Sequence, residues 1–451
     1  MEVLLLMKRV LCLVFVLVLV FSLTACGDKA GSGAGTNPPS GNTGTTEQSP
    51  SGNSSSTGGS TVKIGVMTDR SSPAAATSGW GEAGAEVAAK LINAAGGIDG
   101  KMIELIYRDT ASDSANVAQK ATELVAEGVV AILGPKSDGE APTGAQWAET
   151  NKFPMVTPCT MNTRVTIENA SRYMFSCGFH AWAIANMNAD YAAQRGFKSA
   201  YFIGNDGGAS GDSRDFFYRK LGSGFANLGS SQVSSNTTEF SNVISSVVGK
   251  NPDTIIGAVA GPNFVSLVNQ GQQFGLWDQC EYLGWYTVDS TNTKSLADAG
   301  NYPYGRVHGV ALWPFWMSDI PGNDELVSAY GELGGIQPSD MGFCWYMGII
   351  SIAEALKTTN DWSPEGVTSA LENVRFDTLY GKNLGFRDFD HVMNHAYYYV
   401  TAIEDPSGKW DIPIGDVIRV YMAADILPDK AEMIAYAQEV GLEFKDLSTL
   451  G

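Results

Sequence analysis

The chain is poor in positive charge, poor in histidine and empty of catalytic signatures. Its 29 Lys and Arg face 48 Asp and Glu, a net charge of −19. A surface of that sign repels phosphate backbones and anionic headgroups alike, which excludes nucleic acid and direct adhesion to an acidic bilayer. The four histidines, His180, His308, His391 and His395, form no H-E-x-x-H, and G-x-S-x-G and P-loop patterns are absent. His391 and His395 are four apart, a spacing that would bring both to one metal from a helix. The run Tyr397-Tyr398-Tyr399-Val400 beside them reads as a strand, so no metal is expected. Cys177 and His180 sit in an apolar stretch, where packing is commoner than a nucleophile pair. Asp206 and Asp212 lie in a Gly/Ser loop, where carboxylates cap more often than they exchange protons. None of the six cysteines forms C-x-x-C, so spacing gives no zinc site. The expectation is a protein that is not an enzyme and carries no cofactor.

The long apolar run falls at the N-terminus. Lys8-Arg9 precede residues 10–23, and Leu23-Thr24-Ala25-Cys26 completes a lipobox. A plain membrane anchor is the alternative, since the run is nearly long enough to span a bilayer. A polar tract directly after Cys26 favours a lipoprotein signal, residues 1–25, with Cys26 as the lipidated residue. Translation starts at Met1 or Met7; both stay open. Residues 27–60 contain 28 Gly, Ser, Thr, Asn or Pro among 34, too little apolar surface to offset chain entropy, so 26–61 reads as a flexible tether. An extracytoplasmic location held to the membrane by lipid follows, and it permits disulfides. Cys159 and Cys177 either bridge or remain buried thiols.

Residues 62–109 carry the organising unit. A β-branched strand at 62–66 breaks into a small-residue loop at 68–79. A helix over 80–95 places Val87, Leu91 and Ile92 on one side and Glu82, Glu86 and Lys90 on another, and Gly96-Gly97 stops it. A strand over 103–107 ends at Arg108-Asp109. This βαβ unit resembles the opening motif of the type I periplasmic binding proteins, and more narrowly the branched-chain amino-acid (Leu/Ile/Val) receptors of ABC importers. Ile92-Asn93 with Gly96-Gly97-Ile98-Asp99-Gly100 carries the most specific part, and a weaker likeness runs to about Ala402.

The alternation of strands and helices continues, with strands at 129–133, 153–157, 173–176, 200–203, 254–260 and 282–286. A return near 310–314 leads to helices at 325–333 and 343–357, and a last crossing near Thr378 leads to a hairpin of 384–388 with 396–403. The fold expected is α/β: two Rossmann-like lobes with central parallel sheets, joined by a three-stranded hinge. Residues 62–181 with 312–377 make one lobe and 182–311 with 378–404 the other; 405–451 is a C-terminal extension without a functional account.

The resemblance implies a monomer that captures a small molecule by lobe closure and hands it to an importer permease. Ser137 and Asp138 fall on the loop where relatives place a serine. Cys159, Thr160 and Met161 fall on the loop that supplies small and hydroxyl residues. Ser78 aligns with an aromatic of amino-acid binders, which leaves Trp80 to supply the ring. In the second lobe the N-D-x-x-Y-G-x-G element appears as Asn205-Asp206-Gly207-Gly208-Ala209-Ser210-Gly211-Asp212, with Ser210 at the tyrosine position. Gly261 ends a strand, and Trp285-Tyr286 stand where amino-acid binders present an acid to the ligand ammonium. Asp138 or Asp289 would then supply that charge, or the ligand lacks an ammonium and is a larger, partly aromatic or amide-bearing carboxylate walled by Trp80, Phe179, Trp182 and Trp285. A sensory ectodomain is the rival from another class, and an enzyme acting on an amide or ester the third choice.

Overall fold

The computed structural model describes residues 61–72, 75–158, 161–286, 288–333 and 337–450. Cys26, the tether, Cys159 and Thr160 lie outside them, and so does any bridge to Cys159. The chain builds two lobes. The first sheet comprises β1 (Thr61–Thr68), β2 (Met102–Asp109), β3 (Ala131–Leu133), β4 (Met155–Thr157) and β5 (Met174–Ser176), in the order β2-β1-β3-β4-β5. All its pairings are parallel. The central strands are apolar on both faces because helices cover both. Ile64, Val66, Leu133 and Val156 face a core shared with the helices Ala75–Ala94 and Asp340–Lys357. Met67, Ile132 and Met155 face the helices Ser114–Ala126 and Ala141–Asn151.

The first helix begins at Ala75, five residues before the expected start. Its opening residues look like loop by composition, yet they include alanine, the best helix former. This puts Ser78 inside the helix. The same face carries Gly81 and Gly84, which let the helix approach Asp340–Lys357 so closely that a Cβ on Gly84 would sit 1.8 Å from the Gly342 carbonyl oxygen.

The second sheet is mixed. β6 (Ser199–Asn205), β7 (Ala226–Val233), β8 (Thr254–Ala258), β9 (Glu281–Tyr286) and β10 (Val307–Ala311) run parallel in the order β7-β6-β8-β9-β10, the arrangement of the first sheet repeated. Beyond β10 the sheet adds antiparallel β13 (Ala396–Ile403) and β14 (Ile414–Met422). β13 therefore does not form the expected hairpin with 384–388. Its neighbours are β10 and a strand of the C-terminal tail, while β11 (Phe376–Thr378) and β12 (Gly381–Leu384) form a small ribbon of their own. β7 escapes a hydrophobicity scan because it is an edge strand with polar, largely accessible side chains.

The chain crosses between lobes after β5, after β10 and before β13. The first and third crossings are hydrogen-bonded to each other: Ser176 N–H donates to the His391 carbonyl at 2.9 Å, and Met393 N–H to the Ser176 carbonyl at 2.8 Å. Two acids fix the second. Asp340 accepts the backbone N–H of Leu312 at 2.9 Å and of Trp313 at 2.7 Å. Asp289 accepts the N–H of Asp340 at 2.7 Å, at the start of the helix Asp340–Lys357. Burial, then the nearby Asp289 charge, pushes the Asp340 carboxyl well above its usual range.

Candidate functional site

Open α/β sheets receive ligands at strand C-termini, where the strand order reverses. The reversal lies between β1 and β3 in one lobe and between β6 and β8 in the other. A backbone contact shows that these ends face each other across the lobes: Asp212, on the helix Gly208–Leu221 after β6, accepts the Thr163 N–H from the loop after β4 at 3.2 Å. Burial raises the Asp212 carboxyl above its ordinary value.

In the first lobe a buried ion pair joins the two reversal loops. Lys136, after β3, lies 3.6 Å from Asp69, after β1, and both are almost fully buried. Burial alone would raise the Asp69 carboxyl, but donors from Ser72 and Ser112 and the Lys136 charge outweigh it and hold the pKa below normal. Ser137 is tied down locally, its N–H and hydroxyl donating to Glu140 Oε2 at 3.1 and 2.6 Å. The second oxygen of Glu140 is buried with no hydrogen-bond partner among the described residues, and so is the hydroxyl of Ser78.

Asp138 accepts the N–H groups of Met161 at 2.6 Å and Asn162 at 3.1 Å. Burial, only partly offset by those two donors, pushes its pKa up to about 6. Its carboxylate thus shapes the 161–162 turn. Asp289 likewise holds a helix start. Each acid considered as an ammonium partner therefore already binds backbone amides.

In the second lobe Asn205 Oδ1 accepts the Ala260 N–H at 3.3 Å, joining the loops after β6 and β8 as Asp69 and Lys136 do in the first. Asn205 Nδ2 and the Ser210 hydroxyl are buried without partners among the described residues. Gly261 N–H donates to Asn292 at 2.6 Å. Asp206 is exposed, and Met161 and Phe179 are buried. Trp80 is half-buried on its helix, and Tyr286 ends β9. Trp285 is 7% exposed and its indole N–H donates to Ser213 Oγ at 3.1 Å. Trp182 stacks on Phe216 with centroids 4.2 Å apart. Two of the three tryptophans expected as cleft walls, Trp182 and Trp285, therefore pack within the second lobe, while Trp80 lies on a first-lobe helix. His391 and His395 lie on the third crossing, not on a helix.

Of the buried polar atoms without a partner among the described residues, four lie on the segments that follow the reversal strands: Ser78 Oγ and Glu140 Oε1 from one lobe, Asn205 Nδ2 and Ser210 Oγ from the other. Buried polar groups are almost always hydrogen-bonded to protein or water, so atoms of this kind beside the facing strand ends are candidates to meet a ligand. Two hydroxyls and an amide N–H suit a carboxylate, and a carboxylate oxygen suits a donor. Glu140 and Lys136 carry no sequence motif; strand order alone points to them.

The periplasmic binding protein family matches residues 61–408. Among curated relatives, Leu/Ile/Val-binding protein homolog 3 of Brucella melitensis is 28% identical over 150 residues, covering 33% of this chain and 40% of that protein. The leucine-, isoleucine-, valine-, threonine- and alanine-binding protein of Pseudomonas aeruginosa is 23% identical over 343 residues, covering 75% of this chain and 88% of that one. Among solved structures, a solute-binding protein of an ABC transporter from Rhodopseudomonas palustris, in complex with 3,4-dihydroxybenzoic acid, superposes with a TM-score of 0.72 at 19% identity, covering 82% of this chain and 99% of that one.

Proposed function

The chain belongs to the periplasmic binding protein family, and on that premise we propose that it captures a small organic carboxylate between its lobes and delivers it to an ABC importer from a lipid anchor at Cys26. The four orphan polar atoms at the facing strand ends carry the reading. They suit a ligand with a carboxylate at one end and a hydrogen-bond donor at the other. An amino acid has that pattern, and so does a hydroxybenzoate. The donor is assigned to Glu140 Oε1, because that oxygen has no partner among the described residues while Oε2 holds Ser137.

The mass of the small molecule that copurifies with the protein is the direct test. Calorimetry against leucine, phenylalanine, benzoate and 4-hydroxybenzoate follows it. Ser78→Ala and Ser210→Ala should each weaken the bound ligand about fivefold, the effect of losing roughly 1 kcal/mol of hydrogen bonding. Glu140→Gln should weaken an ammonium-bearing ligand more than a phenolic one, because it removes a charge-assisted bond. Affinity unchanged in all three variants would remove the proposed site.

Anchoring has its own test. Cys26→Ala should move the protein from the membrane fraction to the soluble fraction or leave the signal uncleaved. A mature N-terminus elsewhere, with no acyl mass on it, would end the lipoprotein reading.

A further inference from the structure

We propose that the C-terminal segment, residues 428–450, is a strap that spans both lobes and biases them toward the closed arrangement. It lies beyond the residues the family matches. It leaves the second lobe through β14 and the short helix Ala423–Ile426, whose last carbonyl accepts Asn186 Nδ2 at 3.0 Å. The helix Lys430–Val440, capped by Asp429 and Glu432 acting reciprocally, then touches both lobes at once. Toward the second lobe, Tyr436 packs on Phe216 (centroids 4.9 Å apart) and edge-on to Trp182 (5.3 Å), and Glu439 pairs with Arg219. Toward the first lobe, Met433 and Ala437 bury Ile167, joined by Leu442 and Phe444.

Past Gly441 the strap is fastened to the first lobe and to the third crossing. Lys445 N–H donates to the Ile167 carbonyl at 3.2 Å and Leu447 N–H to the Phe389 carbonyl at 3.2 Å. Between strap and lobes lies a cavity of about 110 Å³ lined by Thr163, Arg164, Ile167, Asp212, Tyr436 and Leu442. The strap thus roofs the place where Asp212 of one lobe holds the Thr163 amide of the other. Because it is continuous with the second lobe's sheet, its releasable end is the one on the first lobe. A ligand that closes the lobes works with it, and opening requires that end to detach.

The inference rests on the reading that the lobes move, and one experiment separates the two. Labels at Ala118→Cys and Ser245→Cys, exposed positions on opposite lobes, report lobe separation in the full mature chain and in a chain ending at Leu442, which keeps the helix and loses its fastening. Without ligand, the shortened chain should show a longer distance and a larger open population. Phe444→Ser, which leaves the chain full length, should shift it the same way if the shortened chain folds poorly. Distances that respond to leucine or 4-hydroxybenzoate but not to shortening or to Phe444→Ser would overturn the strap alone. Distances fixed under every condition would overturn the moving lobes with it.

Discussion

Gly84→Ala is expected to destabilise the protein by about 3 kcal/mol or more, whereas Gly79→Ala, on the same helix, should be neutral or slightly stabilising. A methyl on Gly84 would meet the Gly342 carbonyl oxygen at 1.8 Å, and backbone cannot rotate away as a side chain can. The helices Ala75–Ala94 and Asp340–Lys357 would have to separate, and their shared apolar face with them. Overpacking typically costs about 1–3 kcal/mol, and a backbone collision lies at the upper end or above. Gly79 has nothing within 4 Å of its would-be Cβ, so there alanine brings only helix propensity, about 1 kcal/mol in its favour. Urea unfolding of the two variants checks this. Equal midpoints would mean that the two helices are not in contact through Gly84.

Acid should weaken the fold through His180. The side chain is 2% exposed, neither ring nitrogen has a partner among the described residues, and burial, reinforced by the Arg387 charge, pushes its pKa down to about 3. In the unfolded chain the same group titrates near about 6.5. Between those values the unfolded state binds the extra proton, so the contribution is intact above about pH 6.5 and is lost as pH falls toward 3. At pH 5 the loss is about 2 kcal/mol, taking about 1.4 kcal/mol per pKa unit. His180→Leu should remove it, so that stability falls less between pH 7.5 and pH 5 than in the parent. Asp138 acts in the opposite sense: with its carboxyl raised to about 6, the folded state gains a proton first and is relatively favoured as pH falls from 6 toward the unfolded value. Asp138→Asn should therefore steepen the acid loss. Parallel pH profiles for all three proteins would contradict both assignments.

The parallel strands of both lobes were legible in the sequence because they are buried on two sides and read as apolar runs. The edge strand β7 was not: it carries Asn, Ser and Gln, and only hydrogen bonding to β6 makes it a strand. The start of the first helix was hidden by its small residues. At the site, the partners of the motif residues were not legible. Ser137 looks like a ligand hydroxyl until Glu140 is seen to hold it. Asp138 looks like a counter-charge until the Met161 amide is seen on it. Trp285 looks like a cleft wall until its indole is seen bonded to Ser213. Each role depends on a partner remote in sequence or on a local turn that spacing does not reveal.

Each lobe is assembled from pieces far apart in the chain. The first sheet is complete by Ser176, yet one of the two helices that cover its inner face is not made until residues 340–357. The second sheet waits for residues 414–422 to supply its edge. A chain emerging from the ribosome therefore finishes neither lobe until nearly its whole length is available, and long-range pairing of this kind forms slowly. The interleaving keeps the newly made polypeptide incompletely packed until nearly the last of its residues has been made.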